Sequence, residues 1–333
     1  MSPAAVFIST AFLVVPVFIF LHKSLRRRDS RSTLLHPDDE RVLILGGSSG
    51  IGRAIALKYV ARGARVCVVG RAEPQVSVVV NECKSEHADS PLGDYSDVVL
   101  GVAADFADAE EMTRLRDVLE VKWNGLDTLV VAAGVSATLP LLSIAGIDIS
   151  RDMQGDRRIF TPASISAQNV THVADVAEKA LHSNYIGPLV SAVTYIPLMS
   201  RTSEAPAIQL IASLGAVTPA PTRSIYGSTK AAALMLYQAL SMEHPNIEFS
   251  YILPATVEGD FRASAVDRLS DDGLSSPTKG LKREYVAARC VRAVDRAEGS
   301  VFIPGYTRLA PILYWIFPRF IEGKAKRKYG FGD

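Results

Sequence analysis

The sequence predicts an α/β protein: a single domain on a doubly wound, mainly parallel sheet of seven strands, with an N-terminal membrane anchor. From residue 42 onward, short runs rich in β-branched residues alternate with runs that are typical of helices. Uninterrupted apolar strands between helices indicate a parallel sheet that is buried on both faces. A glycine-rich turn joins the first strand to the first helix, as in folds that bind dinucleotides.

The seven strands are expected at 42–46, 65–70, 98–104, 126–133, 207–213, 247–253 and 300–303. The run 53–63 is expected to form the first helix, and right-handed crossovers complete the doubly wound arrangement. Two stretches fit this alternation poorly. Within the first, 136–183, we interpret 145–165 as an inserted surface loop. The second, 259–284, leaves the sheet after the sixth strand, at the edge where ligands bind in such folds.

Composition excludes several classes of function. The chain has 333 residues and a net charge of +1, so its charge gives no reason to expect a nucleic-acid partner. Its hydrophobic content of 48% is ample for a core. The cysteines and histidines show no spacing typical of a metal or redox site, so we expect no metal.

The first 22 residues are predicted to anchor the protein in a membrane, and residues 23–40 to form a basic and polar linker. Residues 4–21 carry no charge. The length of this run is at the short end of what spans a bilayer. The basic cluster follows this run, whereas a secretory signal carries its charge before it. A cleaved or interfacial segment is the alternative. The positive-inside rule places the following domain in the cytosol, at the endoplasmic reticulum or a lipid droplet.

The glycine-rich turn at the end of the first strand is a candidate site for a dinucleotide. Glycines at three positions permit a tight turn, close approach of the backbone to a phosphate, and close packing of helix on strand. The start of the following helix offers free N–H groups to a pyrophosphate. The candidate cofactor residues of this turn are Gly46, Ser48, Ser49, Gly50, Ile51 and Gly52.

The residue after the second strand favours NADP(H) over NAD(H). Proteins that bind NAD often carry an acid there for the ribose 2′-hydroxyl, but this strand is followed by Arg71. Arg71 can pair with a 2′-phosphate, and Arg53 is a second candidate. The alternative is that both arginines are ordinary surface charges.

The stretch from Ser213 to Lys230 is the candidate for proton transfer. Tyr226 and Lys230 are four residues apart in a helix-like run and therefore share one helix face. A phenol with a pKa near 10 is a poor acid or base at neutral pH, and a nearby cation lowers that pKa. Tyr226 is then expected to exchange a proton with a carbonyl or an alcohol. The alternative is a turn serine followed by a tyrosine that merely starts a helix.

These motifs, in this order, resemble those of the short-chain dehydrogenase/reductase family over about residues 40–305. We therefore predict a catalytic domain at 41–305. Ser213, Tyr226 and Lys230 match the catalytic residues of the family with their spacing, and Asn184 matches its helix asparagine. Further matches are Asp105 at the position that contacts adenine, the pair Ala133 and Gly134, and Pro254 near the nicotinamide.

The sequence departs from the family pattern at several positions. Val131 and Ala132 stand where the family has two asparagines that brace the sheet. Gly259 stands where a threonine often contacts the carboxamide, and Thr256 is the candidate substitute. The resemblance implies hydride exchange between a nicotinamide and a carbonyl or alcohol carbon. The resemblance implies that Tyr226 transfers the proton and that Lys230 lowers the pKa of Tyr226 and binds the ribose. It also implies that Ser213 orients the substrate oxygen and that Asn184 holds a relay water.

The C-terminal extension, 306–333, combines aromatic residues with a basic cluster. Its apolar run is too short to cross a bilayer, and this composition suits a membrane interface. A packed final helix or an oligomer contact is the alternative.

The function expected is an NADP(H)-dependent oxidoreductase for a lipophilic ketone, aldehyde or secondary alcohol, such as a steroid, retinoid, sphingoid or keto-lipid. An alternative of another class is a non-catalytic protein that senses nucleotides at a membrane and acts as a scaffold. A third is a tethered reductase of soluble substrates. A homodimer or a homotetramer is expected.

Overall fold

The computed structural model describes residues 31–87, 98–151, 158–162, 164–262, 265–268 and 280–331. The predicted membrane anchor and the first part of the linker lie outside these ranges. Among the described residues, no helix combines the length and the apolar character needed to cross a membrane.

Seven parallel strands form the central sheet, which confirms the predicted fold class. The order in the sheet is β3-β2-β1-β4-β7-β8-β9, and β5 and β6 pair separately. The strand order reverses between β1 and β4, which is where ligands bind in doubly wound sheets. The strands are β1 (Arg41–Leu45), β2 (Arg65–Gly70), β3 (Val99–Ala103), β4 (Thr128–Val131), β5 (Asp148–Arg151), β6 (Arg158–Thr161), β7 (Ala207–Ile211), β8 (Glu248–Pro254) and β9 (Ser300–Ile303).

Helices cover both faces of this sheet. They are α1 (Gly50–Val60), α2 (Glu73–His87), α3 (Ala109–Trp123), α4 (Leu141–Ile144), α5 (Ala167–Leu181), α6 (Gly187–Thr202), α7 (Ser224–Glu243), α8 (Arg283–Asp295), α9 (Leu309–Ile316) and α10 (Pro318–Lys328). Alternate residues of β1 point to opposite faces, as the pleat requires. Val42 and Ile44 pack in the core under α1, α2 and α8, and Leu43 and Leu45 pack in the core under α3, α6 and α7.

The segment 145–165, which we interpreted as an inserted surface loop, contains regular structure as well. This segment contains β5 and β6, an antiparallel pair. The pair escaped the sequence analysis because Ile149, Ile159 and Phe160 stay exposed, so no alternation of buried and exposed residues marks it. The following helix α5 packs Val176 and Ala180 into a third apolar cluster, which also holds Ile225 of α7. The helix that follows the insertion therefore packs against the helix that carries Tyr226.

The described part of the linker is attached to the domain. Arg31 is 5% exposed and Glu40 is 1% exposed. The guanidinium of Arg31 donates to the Glu40 carboxylate at 2.5 Å and to the carbonyl of Ala205 at 2.6 Å. Residues 31–40 thus contact the edge of the sheet where the parallel strands begin, opposite the edge where a ligand is expected.

Candidate active site

The glycine turn between β1 and α1 is built for close backbone approach. Gly46 has a φ of +84°, and a Cβ there would lie 2.5 Å from the backbone nitrogen of Ala133. A Cβ at Gly52 would lie 2.1 Å from the carbonyl oxygen of Gly46. At Gly50, with φ +55°, a Cβ would meet no heavy atom within 4 Å. The turn is therefore packed against its own fold but open where a phosphate approaches.

The two arginines predicted to bind a 2′-phosphate differ in whether they are already paired with another residue. Arg53 lies on α1 and donates to both carboxylate oxygens of Glu82, each at 2.7 Å. Arg71 is exposed and makes no hydrogen bond or ion pair with any residue in the described ranges. The hydroxyl of Ser48 lies against Gly70, directly before Arg71. Arg71 is therefore the candidate that remains available to a ligand, while Ser49 and Ile51 continue the turn into α1.

Asp105 lies beyond the carboxyl end of β3 and has a partner that the sequence analysis missed. One oxygen of its carboxylate accepts from the backbone nitrogen of Ala107 at 3.0 Å, and the other lies 3.2 Å from Nε2 of His182. His182 begins a π-helical turn, His182–Ile186. The sequence signal that could have indicated His182 as a partner of Asp105 is its position two residues before Asn184. The predicted adenine contact of Asp105 stays a prediction.

Asn184 lies within this π-helical turn and is completely buried. π-turns inside helices are frequent at functional sites. The amide nitrogen of Asn184 donates to the carbonyl of Val135 and to the hydroxyl of Thr229, both at 3.0 Å. Its oxygen accepts from the Val135 nitrogen at 2.9 Å. Because both amide hydrogens are used, a relay water has the second lone pair of this oxygen or the main chain to bind.

Ser213 and Tyr226 meet at the carboxyl edge of the sheet. Ser213 follows β7, and its hydroxyl lies near enough to Tyr226, on the first turn of α7, to lower the pKa of the phenol. The backbone nitrogen of Gly215 also donates to the Ser213 hydroxyl, at 3.1 Å, and so holds it in place. The two hydroxyls thirteen residues apart are thus brought together as predicted.

Lys230 lies behind this pair and is 5% exposed. Its ammonium donates to the carbonyl of Ile211 at 3.1 Å. A Cβ at Gly134 would lie 2.9 Å from the Lys230 nitrogen and 2.7 Å from the side-chain oxygen of Asn184. Gly134, next to Ala133, thus allows the end of β4 to approach both side chains. Small residues at the end of β4 are what this proximity requires.

The expected lowering of the Tyr226 pKa is not found in the protein without its cofactor. Burial raises this pKa, because it disfavours the phenolate. The hydrogen bond from Ser213 and the charges of Arg223 and Arg262 oppose the rise without cancelling it. The sequence analysis considered only Lys230 as a nearby cation and could not weigh burial.

Two further predicted cofactor residues lie where β8 ends. Pro254 is the last residue of β8 and pairs with Ile303 of β9. The carbonyl of Thr256 accepts from the backbone nitrogen of Leu281 at 2.9 Å. Gly259 has a φ of +112°, a conformation that suits glycine better than the threonine usual there. The role of Thr256 as a carboxamide contact stays a prediction.

Comparison with known proteins identifies the family of this arrangement. The family model described as short chain dehydrogenase matches residues 40–154 and 160–269, and these ranges hold the glycine turn, Asn184 and the stretch from Ser213 to Lys230. This chain belongs to the short-chain dehydrogenase family. As a short-chain dehydrogenase it is an oxidoreductase whose fold binds a nicotinamide dinucleotide, which confirms the resemblance seen in the sequence.

Relatives and solved structures agree with this assignment. The 11-beta-hydroxysteroid dehydrogenase-like 4A of Arabidopsis thaliana is 26% identical over 294 residues, 86% of this chain and 83% of that protein. The 11-beta-hydroxysteroid dehydrogenase A of Sesamum indicum is 26% identical over 283 residues, 82% of this chain and 70% of that protein.

Two solved structures share the fold of this short-chain dehydrogenase. A short chain dehydrogenase/reductase from Burkholderia phymatum in complex with NAD has a TM-score of 0.64 and 18% identity, over 85% of this chain and 95% of that one. An alcohol dehydrogenase from Thermococcus sibiricus complexed with 5-hydroxy-NADP has a TM-score of 0.58 and 19% identity, over 79% of this chain and 95% of that one. One of these structures contains NAD and the other an NADP derivative. The two structures therefore do not determine whether this chain prefers NAD(H) or NADP(H).

Four side chains that the sequence analysis missed surround Tyr226 in this short-chain dehydrogenase. The ring of Phe261 meets the Tyr226 ring edge to face, with centroids 5.9 Å apart. The guanidinium carbon of Arg223 lies 5.9 Å from the same ring and 6.0 Å from the ring of Tyr329. Arg262 acts on Tyr226 through its charge. Of these, only Arg223 carried a sequence signal, because it lies three residues before Tyr226, directly before the first residue of α7.

Lys230 is expected to cost the unliganded enzyme stability, and its replacement tests this. Burial lowers its pKa from 10.5 to about 8. The cost of charging it in the fold is fully present below pH 8 and disappears as the pH rises toward 10.5, where the unfolded chain also loses the proton. We expect Lys230→Met to raise the free energy of unfolding by roughly 3 kcal/mol at pH 7. Thermal unfolding of both proteins between pH 7 and 10 should show this gain shrinking, and a constant difference contradicts the assigned cause.

Proposed function

We propose that this short-chain dehydrogenase exchanges a hydride between NADP(H) and the carbonyl or secondary-alcohol carbon of a lipophilic substrate. Ser213, Tyr226, Lys230 and Asn184 are its catalytic set. The observation that carries the proposal is the convergence of three groups: the Ser213 hydroxyl and the Tyr226 ring lie beside Gly215, and the buried Lys230 lies on the same helix as Tyr226.

The residues present fit a nicotinamide dinucleotide. The open backbone at Gly50 suits the pyrophosphate, and the contact of Gly134 with Lys230 leaves the end of β4 free of side chains beside the proton donor. When bound, NADPH supplies the hydride to the carbonyl carbon.

The protein side of the reaction is a positioned proton transfer. Ser213 donates a hydrogen bond to the carbonyl oxygen and fixes its orientation. Tyr226 gives its proton to that oxygen as the hydride reaches the carbon, and oxidation of an alcohol runs the same steps backward. Lys230, with a pKa of about 8, is poised to return a proton to Tyr226 near neutral pH, and Asn184 holds the water that continues this relay.

Apolar surroundings support a lipophilic substrate. Leu139 and Val266 pack with Tyr226 against the third apolar cluster, and Phe261 is 44% exposed beside it. The names of the Arabidopsis and Sesamum relatives point to steroid-type substrates. A steroid, retinoid, sphingoid ketone or keto-lipid is therefore the class to test. The full-length protein in detergent is expected to oxidise NADPH with at least one such ketone, and no turnover in either direction across the panel counts against the proposal.

The same assay separates the alternatives. A protein that senses nucleotides and acts as a scaffold binds NADP(H) without turnover, and the complete catalytic set argues against it. A tethered reductase of soluble substrates turns over short-chain ketones as well as long-chain ones. The proposal expects kcat/KM to rise with chain length.

Arg71 supports the preference for NADPH. Replacement by alanine is expected to raise the Kd for NADPH by about 10- to 100-fold, the range of one or two charged hydrogen bonds, and to leave the Kd for NADH nearly unchanged. Fluorescence titration of both nucleotides measures this. Arg53→Gln is the matched comparison, since Arg53 is occupied by Glu82. A larger effect of Arg53→Gln would reassign the phosphate contact to that arginine.

We also propose that the protein is held at the endoplasmic reticulum or at lipid droplets with its catalytic domain in the cytosol. Residues 1–22 are its proposed anchor. The C-terminal helices add exposed Trp315, Phe317 and Phe320 beside the basic cluster that ends α10, which suits an interface. Protease treatment of intact microsomes is expected to digest the catalytic domain, and full protection contradicts the orientation. The mass of the solubilised protein distinguishes the proposed homodimer from a homotetramer.

A further inference from the structure

Arg223 is held at the mouth of the site by contacts on three sides. Its Nη1 donates to the hydroxyl of Ser136 and to the carbonyl of Ala137, both at 3.1 Å. Its guanidinium carbon lies about midway between the rings of Tyr226 and Tyr329, near 6 Å from each. The residue before it, Thr222, has a φ of +61°. Such a conformation is costly for a residue other than glycine and is concentrated at functional sites.

Arg262 is a second cation at the same place. It ends the short turn Asp260–Arg262, next to Phe261, which contacts Tyr226. Burial lowers the pKa of Arg262, and the charge of Arg223 lowers it further. Both arginines are half-exposed beside Tyr226: the guanidinium of Arg223 faces its ring, and Arg262 follows Phe261, whose ring meets the same tyrosine.

No carboxylate among the described residues forms an ion pair with either arginine. Asp267 follows Val266, which packs near Tyr226, but one oxygen of its carboxylate accepts from the backbone nitrogens of Thr138 and Leu139. Two half-buried positive charges without a negative counter-charge are unfavourable unless an anion binds between them. Guanidinium groups bind carboxylate and phosphate in a planar, two-pronged geometry.

We infer that the substrate carries an anionic group, a carboxylate or a phosphate, which Arg223 and Arg262 bind while its carbonyl or hydroxyl faces Tyr226. This inference rests on the proposed function and narrows its substrate class to lipophilic ketones or alcohols with an acidic group. Because Arg223 lies 5.9 Å from the Tyr226 ring, the anion is only a few bonds from the reacting carbon. The apolar part of the substrate lies against Phe261 and the third apolar cluster.

The anion of the cofactor does not account for the pair. Arg223 is bound to the segment Ser136–Ala137, beyond Gly134, and the structure gives it no contact with the glycine turn or with Arg71. Tyr329, which closes over Arg223, comes from the end of the C-terminal extension. Lys328 lies 5.6 Å from the Tyr329 ring and adds positive charge on the outer side. The extension therefore completes the anion site as well as offering an interface to a membrane.

The test compares matched substrates on the full-length enzyme with NADPH. One pair is 4-oxodecanoate and its methyl ester, and the other is 2-oxodecyl phosphate and 1-hydroxy-2-decanone. We expect kcat/KM for at least one anionic member to exceed that of its neutral partner by about 10- to 100-fold, the range of charged hydrogen bonds. Which anion gains more identifies the group as a carboxylate or a phosphate.

Variants then assign the effect to the two arginines. Arg223→Gln and Arg262→Gln are expected to lower kcat/KM for the anionic members much more than for their neutral partners, so that most of the anionic advantage is lost. Any loss that both members share reports the effect of the two charges on Tyr226. Arg201→Gln is the control, because Arg201 pairs with Glu120 on the surface at the opposite edge of the sheet. Arg223→Lys should restore part of the advantage.

Outcomes that overturn the inference differ from those that overturn the proposed function. Turnover of neutral ketones with no anionic advantage refutes the anion site and leaves the function standing. Equal losses for anionic and neutral substrates in Arg223→Gln, with a shifted pH profile, assign the arginines to Tyr226 instead and also refute it. If nothing turns over, thermal shift with decanoate, decyl phosphate and decanol decides: stabilisation by an anion that Arg223→Gln abolishes supports the site without the function, and no such stabilisation refutes both.

Discussion

Replacing Tyr226 by phenylalanine is expected to lower kcat by about 10²- to 10⁴-fold, the contribution of a positioned general acid. The substitution removes one hydroxyl and keeps the ring that packs on Phe261. Because the phenol gives its proton to the substrate only in the transition state, KM and the Kd for NADP(H) should change little. Initial rates with NADPH and a reducible ketone, together with nucleotide titration, measure the two effects separately.

Tyr237→Phe is the matched control for this result. Tyr237 lies on the same helix, is fully buried, and donates its hydroxyl to the carbonyl of Pro188 at 2.9 Å. Its loss should cost about 1 kcal/mol of stability and leave kcat unchanged. Turnover retained by Tyr226→Phe would refute the assigned role, and equal losses in both variants would indicate a defect in folding.

The raised pKa of Tyr226 determines how each direction of the proposed reaction depends on pH. Burial keeps the phenol protonated through neutral pH, which is the form that donates a proton in reduction. Oxidation needs the phenolate and should therefore accelerate as the pH rises toward that pKa. An oxidised nicotinamide, if bound beside Tyr226, would lower this pKa and move the pH profile of oxidation to lower pH.

The sheet and the glycine turn were predictable because their signals are local. Strands β1 to β3 are short apolar runs, and the glycines of the turn, such as Gly46 against Ala133, are recognisable from residue type alone. Ser213 and Tyr226 are separated by one turn and one strand end, so spacing was enough to bring them together. The structure describes Lys230, Asn184 and Gly134 as one packed group, which the order of the motifs indicated.

The remaining features depend on contacts between distant parts of the chain. Nothing local to Arg53 shows that Glu82 occupies it, and nothing local to Tyr329 shows that it returns to Arg223 across more than a hundred residues. The direction in which the Tyr226 pKa shifts depends on the balance between burial, which raises it, and three interactions that lower it by favouring the phenolate. The polar residues 31–40 look like a linker because their charges pair only after folding.

Those paired charges form a buried network around Glu40. One oxygen of this carboxylate accepts from Arg31 and from the hydroxyl of Thr128, each at 2.5 Å, and the other accepts from Arg62. Arg62 also donates to Asp295 of α8 at 2.8 Å. The network therefore ties the segment before β1 to β4, to the end of α1 and to α8.

Glu40→Gln is expected to lower the free energy of unfolding by about 3–5 kcal/mol, the cost of breaking a buried ion pair by removing one partner. The substitution keeps the shape of the side chain but leaves Arg31, at 5% exposure, without its counter-charge. Domains are stable by only about 5–15 kcal/mol, so this loss is a large part of the total. Denaturant unfolding of the full-length protein in detergent, followed by circular dichroism, measures it.

Glu120→Gln supplies the contrast that gives this result its meaning. Glu120 pairs with Arg201 at 2.7 Å, but the two side chains are 43% and 57% exposed, and such a pair contributes less than about 1 kcal/mol. A Glu40 variant no less stable than the Glu120 variant would show that the segment 31–40 contributes little to the fold. The expected difference, by contrast, would make the segment 31–40 part of the catalytic domain.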